Sequence, residues 1–113
     1  MDYTQILDEL EDLIENDFQQ NKVEEKAFEL VNNLKSTWDI LRLASMIRWA
    51  PYESEDDAIE SALNITDRAI EKAVNENNKT DLETIIDELE MSMELDERAD
   101  EVKKIMYKMS EKN

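Results

Sequence analysis

Glycine is absent from all 113 residues of the chain, and this absence limits the folds that the chain can adopt. Glycine normally supplies the left-handed backbone positions of tight hairpins and of loops that hold phosphates. Without glycine, and with a single proline, we expect helices joined by asparagine-containing turns, because asparagine tolerates left-handed geometry better than most residues. The glycine-dependent motifs that bind dinucleotides and nucleoside triphosphates are excluded.

Apolar side chains recur at every third or fourth position along most of the chain, which is the spacing of amphipathic helices. We therefore predict an all-α fold of five to six helices, arranged as an antiparallel bundle or as a short HEAT-like helical array. The chain is short enough to form a single helical domain over residues 1–113. The predicted helices cover residues 3–16, 22–35, 37–50, 54–75 and 80–93, and a last helix begins near residue 96.

The stretch from residue 22 to residue 50 admits two interpretations, because its apolar stripe continues without a change of phase. One continuous helix would satisfy the stripe. A cluster of asparagine, serine and threonine residues, which are weak helix formers, favours a break instead. Ser36 followed by Asp39 also resembles a capping box with aspartate in place of glutamate. We predict a break near residues 35–37 and a central helix at about 37–50.

Capping residues predict where the later helices begin. Ser54 is a preferred N-cap, Thr80 and Glu83 match a capping box, and Asp96 is placed to cap the last helix. Three asparagines within residues 75–78 predict a turn before the capping box.

The central helix is the most apolar and least acidic part of the chain. On a wheel with about 100° per residue, one of its faces is entirely apolar and should lie in the core. That face consists of Ile40, Leu43, Ala44 and Ile47. The opposite side carries a mixed set of residues, here called the tryptophan stripe, which consists of Trp38, Arg42, Ser45 and Trp49.

Two explanations of the tryptophan stripe stay open. Another helix could cover it, with the arginine head group reaching solvent past the apolar cover. Alternatively, the stripe could bind a partner, because tryptophan and arginine are enriched at the residues that dominate binding energy in protein interfaces.

The formal net charge of −17 is the strongest global signal in the sequence. It opposes direct binding to nucleic acid or to an anionic membrane, since both are polyanions, and it favours a basic protein as partner. The charge is unevenly distributed. Residues 1–21 carry seven acidic side chains and no basic one, whereas residues 22–50 carry four acidic and five basic side chains.

Four acids of the first helix form what we call the N-terminal acidic face, namely Asp8, Glu11, Asp12 and Glu15. Neighbours three or four positions apart lie about 6 Å from each other on a helix surface, a spacing similar in scale to that of phosphates along a DNA strand. This face could therefore imitate a nucleic acid and occupy the basic groove of a nucleic-acid-binding protein. The alternative is a solvated surface that keeps the protein soluble. Further acidic candidates on the later helices are Asp56, Asp57, Glu60, Asp87, Glu90, Glu94 and Glu97.

Catalysis is not expected. The chain has no histidine and no cysteine, so the commonest general base, metal ligand and thiol nucleophile are all missing. Glu9 and Asp12, together with Glu94, Glu97 and Asp100, have spacings that would suit a carboxylate site for Mg²⁺. Such spacings arise by chance in a chain with 30 acidic residues. We predict no metal, no cofactor and no enzymatic activity. The acidic N-terminus and the lack of a long apolar run predict a cytoplasmic protein that does not enter the membrane.

The sequence thus favours a non-catalytic protein that binds a basic partner and modulates or inhibits it. Immunity proteins, antitoxins and phage-type inhibitors include small acidic helical proteins of this kind. The analogy rests on these physical properties and not on a sequence match. The alternative is a helical homodimer or scaffold module that uses Trp38 and Trp49.

Overall fold

The computed structural model describes residues 3–111, with side chains from residue 3 to residue 109. Over these residues it is all-helical and contains no strand, so the predicted all-α fold of five to six amphipathic helices is confirmed. The helices are α1 (Thr4–Asn16), α2 (Gln20–Val31), α3 (Thr37–Arg48), α4 (Glu55–Asn75), α5 (Lys79–Asp87) and α6 (Asp96–Glu111), with a π-helical turn at Glu88–Ser92.

Tertiary contacts group the chain into two compact units, Met1–Thr66 and Asp67–Asn113. The first unit contains α1, α2, α3 and the start of α4, and the second contains the rest of α4, the π-helical turn, α5 and α6. The single domain over residues 1–113 stays a prediction.

In the first unit, α1, α2 and α3 pack on one another as a small bundle. Their apolar stripes meet in a core that includes Leu7, Leu10, Val23, Ala27, Leu41, Leu43 and Ile47. Ile65 of α4 is buried as well. Two alanines of α4, Ala58 and Ala62, are also buried there.

The second unit is built mainly by packing of α5 and the π-helical turn against α6. Its buried side chains include Ala69, Ala73, Leu82, Ile85, Leu89, Met93, Ala99 and Val102. In the π-helical turn a backbone hydrogen bond spans five residues where an α-helix spans four, and Met93 N–H donates to Glu88 O at 3.0 Å.

The predicted break near residues 35–37 is confirmed, since α2 ends at Val31 and α3 begins at Thr37. Ser36 lies at the N-cap with an extended backbone, as the capping interpretation requires. Its side chain, however, makes no capping hydrogen bond. The segment therefore breaks because its residues favour non-helical geometry, and not because a capping box closes the end of the helix.

The predicted capping box at Thr80 and Glu83 is wrong. Helix α5 begins one residue earlier, at Lys79, and Asn78 is its N-cap. The Asn78 side-chain oxygen accepts a hydrogen bond from the backbone N–H of Asp81 at 3.0 Å. Asparagine is among the strongest N-cap residues, so its side chain takes this place ahead of the threonine.

Two residues adopt the left-handed geometry that glycine would normally provide, Asn77 with φ of 52° and Glu94 with φ of 56°. Asn77 lies in the predicted asparagine turn. Glu94 lies in the break between the π-helical turn and α6, just before the predicted start of the last helix near residue 96. Left-handed geometry costs a residue with a β-carbon roughly 1–2 kcal/mol, and less for asparagine.

Replacing Glu94 by glycine is therefore expected to raise the free energy of unfolding by about 1 kcal/mol. Urea denaturation followed by circular dichroism would measure the change. The matched control is Asn77→Gly, which should change stability by less than about 0.5 kcal/mol because asparagine already tolerates this geometry. Loss of stability in Glu94→Gly would contradict the proposed backbone strain.

Candidate functional site

The tryptophan stripe lies on the outside of α3. Trp38 is 63% exposed and Trp49 is 52% exposed, while Arg42 and Ser45 between them are half-buried. The two indoles are three helical turns apart, or about 16 Å along the helix axis. The same helix turns Leu43 and Ile47 fully into the core. The first unit therefore does not bury the large aromatic side chains of this stripe.

The expected core face of α3 is confirmed, because Ile40, Leu43, Ala44 and Ile47 are all buried. Of the two explanations of the tryptophan stripe, cover by another helix does not hold for its indoles, because Trp38 and Trp49 are exposed. The wheel placed the two indoles on one side correctly, but it could not show which residues the neighbouring helices would cover.

The N-terminal acidic face lies on the solvent side of α1. Asp8, Asp12 and Glu15 are exposed and Glu11 is half-buried. Asp12 accepts a hydrogen bond from the Asn16 side-chain amide at 2.7 Å, within the same helix. The first helix contains no basic residue, so any compensation of this charge must come from another element.

Arg42 provides that compensation and joins the two predicted surfaces. Its Nη2 donates to Asp8 Oδ1 at 2.6 Å and to Glu11 Oε2 at 3.4 Å. The hydrogen bond with Asp8 raises the pKa of the Arg42 guanidinium. A residue of the tryptophan stripe is thus bound to two residues of the N-terminal acidic face, and the two candidate sites form one continuous surface.

Arg48 has a structural role beneath the end of this surface. Its side chain is only 6% exposed, its guanidinium carbon lies 4.1 Å from the centroid of the Trp49 ring, and its Nη2 pairs with Glu55 Oε1 at 3.2 Å. A guanidinium over an indole face is a favourable cation–π arrangement. Arg48 therefore supports the Trp49 indole from below.

A polar cluster that sequence reasoning missed connects α2, the segment after α3 and α4. Glu24 Oε1 accepts hydrogen bonds from the Tyr52 hydroxyl at 2.9 Å and from Ser61 Oγ at 2.8 Å. Burial raises the pKa of the Tyr52 phenol above its ordinary value, and the hydroxyl donates to the Glu24 carboxylate. The Tyr52 ring also packs on Phe18, with centroids 5.4 Å apart. No sequence signal linked residues this far apart along the chain.

A groove of about 440 Å³ opens between α1 and α2. It is lined by Tyr3, Ile6, Glu9, Leu10, Leu13, Lys26, Glu29, Leu30 and Asn33. The apolar members belong to the predicted stripes of the two helices. The groove itself depends on how α1 and α2 pack on each other, and this packing cannot be predicted from the apolar periodicity of either helix alone.

Some acidic residues of the later helices also form ion pairs with basic side chains. Glu90 pairs with Lys103 at 3.1 Å, and Arg98 bonds Asp67 at 2.6 Å. The other acidic candidates there, Asp56, Asp57, Glu60, Asp87, Glu94 and Glu97, are exposed. Basic residues interspersed along α4 and α6 reduce the field that such a surface can exert.

Side chains between residues 3 and 109 bring together no group of three or more ligands suited to a metal ion. None of the helices described in this structure is long and apolar enough to cross a membrane.

Comparison with protein-family models, curated proteins and solved structures gives no significant match. Function must therefore be argued from the chemistry of the surface that α1 and α3 form together.

Proposed function

We propose that this protein is a non-catalytic interaction protein that binds a basic protein and modulates or inhibits it. The observation that carries the proposal is the excess of negative charge on the N-terminal acidic face. Its four carboxylates lie on one helix, and Arg42 forms ion pairs with two of them, Asp8 and Glu11. The net charge of −17 supports association with a cationic surface, which it would steer from a distance. A nucleic-acid-binding protein is the most suitable class of partner, because its binding groove already accepts closely spaced negative charge.

Neutralising the N-terminal acidic face is expected to weaken partner binding about tenfold or more, since each exposed ion pair contributes roughly 0.2–1 kcal/mol. The variant combines Asp8→Asn, Glu11→Gln, Asp12→Asn and Glu15→Gln. Partners are recovered from the native host by affinity capture, and affinity is then measured with the purified partner at low and high salt. Binding by these charges should also weaken as salt rises, because the Debye length shortens.

The matched control removes the same number of charges from exposed positions of the second unit, with Glu71→Gln, Glu83→Gln, Asp87→Asn and Glu97→Gln. It should leave affinity within about twofold of wild type if the carboxylates of the N-terminal acidic face are the ones that bind the partner. Equal weakening by both variants would show a general charge effect, and unchanged affinity in the first variant would exclude the N-terminal acidic face.

A second candidate function, a homodimer or scaffold module, is favoured by the exposure of Trp38 and Trp49. Sedimentation analysis, which measures the oligomeric state, distinguishes a homodimer from a protein that binds a basic partner. A dimer held by indoles would persist at high salt and dissociate in Trp38→Ala, whereas binding through carboxylates would depend on salt.

A further inference from the structure

We infer that the tryptophan stripe is the docking site for a cationic amphipathic helix of the partner, with the two indoles as apolar anchors and with Asp8 and Glu11 receiving its basic side chains. The inference rests on the proposed function and specifies the chemistry of the partner. It concerns an outward helix face, whose aromatic residues the first unit does not bury.

The geometry of the stripe suits a helix. Trp38 and Trp49 are separated by about 16 Å along α3, so apolar residues three turns apart on another helix would meet both indoles. The small side chain of Ser45 lies between them and leaves room for a partner backbone to approach. Tryptophans in such positions are the residues that most often dominate binding energy.

The charge beside the stripe selects for cations. Asp8 and Glu11 already hold a guanidinium, that of Arg42, at 2.6 and 3.4 Å. This pair is solvent-accessible, and exposed ion pairs contribute little to stability. An arginine or lysine of the partner could therefore take the place of Arg42 at the same carboxylates at small cost. The stripe thus combines apolar anchors with an adjacent site that accepts positive charge.

The same charge argues against a second copy of this chain as the occupant. Each copy has a net charge of −17, and residues 1–21 contribute seven acids without a base. Pairing two stripes would bring two strongly acidic chains together, and like charges across an interface are unfavourable. A cationic helix removes this repulsion.

The two tryptophans of the chain are both in the stripe, so tryptophan fluorescence reports directly on the proposed site. The probe is a synthetic 14-residue amphipathic peptide of leucine and lysine, about four helical turns long. We expect a saturable blue shift of tryptophan emission when the peptide is titrated into the full chain. Trp38→Ala and Trp49→Ala should each weaken binding about tenfold, the effect typical of a dominant interface residue. In each variant the remaining indole provides the signal.

Met91→Ala is the matched control, because Met91 is 82% exposed and lies in the π-helical turn of the second unit. It should bind the peptide within about twofold of wild type, as surface residues outside an interface do. Circular dichroism of each variant confirms that the helices are retained. Equal binding by wild type and both folded tryptophan variants would overturn the inference.

Two further peptides separate the inference from the proposed function. A lysine–serine peptide of equal charge cannot present an apolar face. If it binds as tightly as the leucine–lysine peptide and leaves tryptophan emission unchanged, the docking inference fails while a basic partner remains supported. If a leucine–glutamate peptide binds as tightly as the leucine–lysine peptide, the requirement for a cation is overturned. Weak binding by both of these peptides supports the inference.

Discussion

Truncating Leu43 to alanine is expected to lower the free energy of unfolding by about 2–5 kcal/mol, because this side chain is 0% exposed and its removal leaves a cavity. Urea denaturation followed by circular dichroism would measure the loss. The same truncation at Trp38, which is 63% exposed on the same helix, should cost less than about 1 kcal/mol.

The pair of variants separates the two faces of α3. Leu43 belongs to the face that stabilises the fold, and Trp38 belongs to the tryptophan stripe that we assign to binding. A loss of stability in Trp38→Ala as large as that in Leu43→Ala would mean that the indole is part of the core, and would remove the basis of the docking site.

Replacing Glu24 by alanine should lower the free energy of unfolding by about 2–3 kcal/mol, because hydrogen bonds to a charged acceptor contribute about 1.5–3 kcal/mol each and part of this carboxylate is solvated. The substitution leaves the Tyr52 hydroxyl and Ser61 Oγ without their acceptor. Ser61 is only 8% exposed, so water can replace the lost bond only in part. Chemical denaturation of the purified variant would give the value.

Two control variants test whether the acceptor oxygen itself is responsible. Glu24→Gln keeps a side-chain oxygen at the same place and should cost less than about 1 kcal/mol. Glu25→Ala removes the exposed neighbouring carboxylate and should change stability by no more than about 0.5 kcal/mol. A loss in Glu25→Ala equal to that in Glu24→Ala would show that the hydrogen bonds accepted by Glu24 do not account for the stability.

Much of the fold could be predicted from the sequence because periodicity is a local property. The apolar stripes located each of the six described α-helices, although they extended the fifth helix to residue 93, where the structure has a π-helical turn. The weak helix formers within residues 32–37 indicated the break ahead of α3. The N-cap of α5 was harder to predict from the sequence, because Asn78 and Thr80 are both acceptable caps. Only the geometry of the preceding turn decides between them. The left-handed φ of Glu94 was not predicted, because a charged residue gives no local signal for it.

The candidate site was predicted in parts. The wheel grouped Trp38 with Trp49, and charge counting located the acids of α1. Their connection through Arg42 was not predicted, because Asp8 lies 34 residues away in sequence and meets Arg42 only when α1 packs on α3. The burial of Arg48 was not predicted for the same reason. A helical wheel gives the direction of a side chain but not which neighbouring residues cover it.

The stacking of Arg48 on Trp49 has a consequence for the thermodynamics of association. A large side chain that is free in solution loses rotational freedom when a partner fixes it, at a cost of about 0.5–1.5 kcal/mol. The Trp49 ring already lies 4.1 Å above a buried guanidinium that is itself tied to Glu55. Part of the rotational entropy of Trp49 is therefore lost when the chain folds, before any partner binds. Less entropy is then lost on association, so a contact between Trp49 and a partner contributes more to affinity.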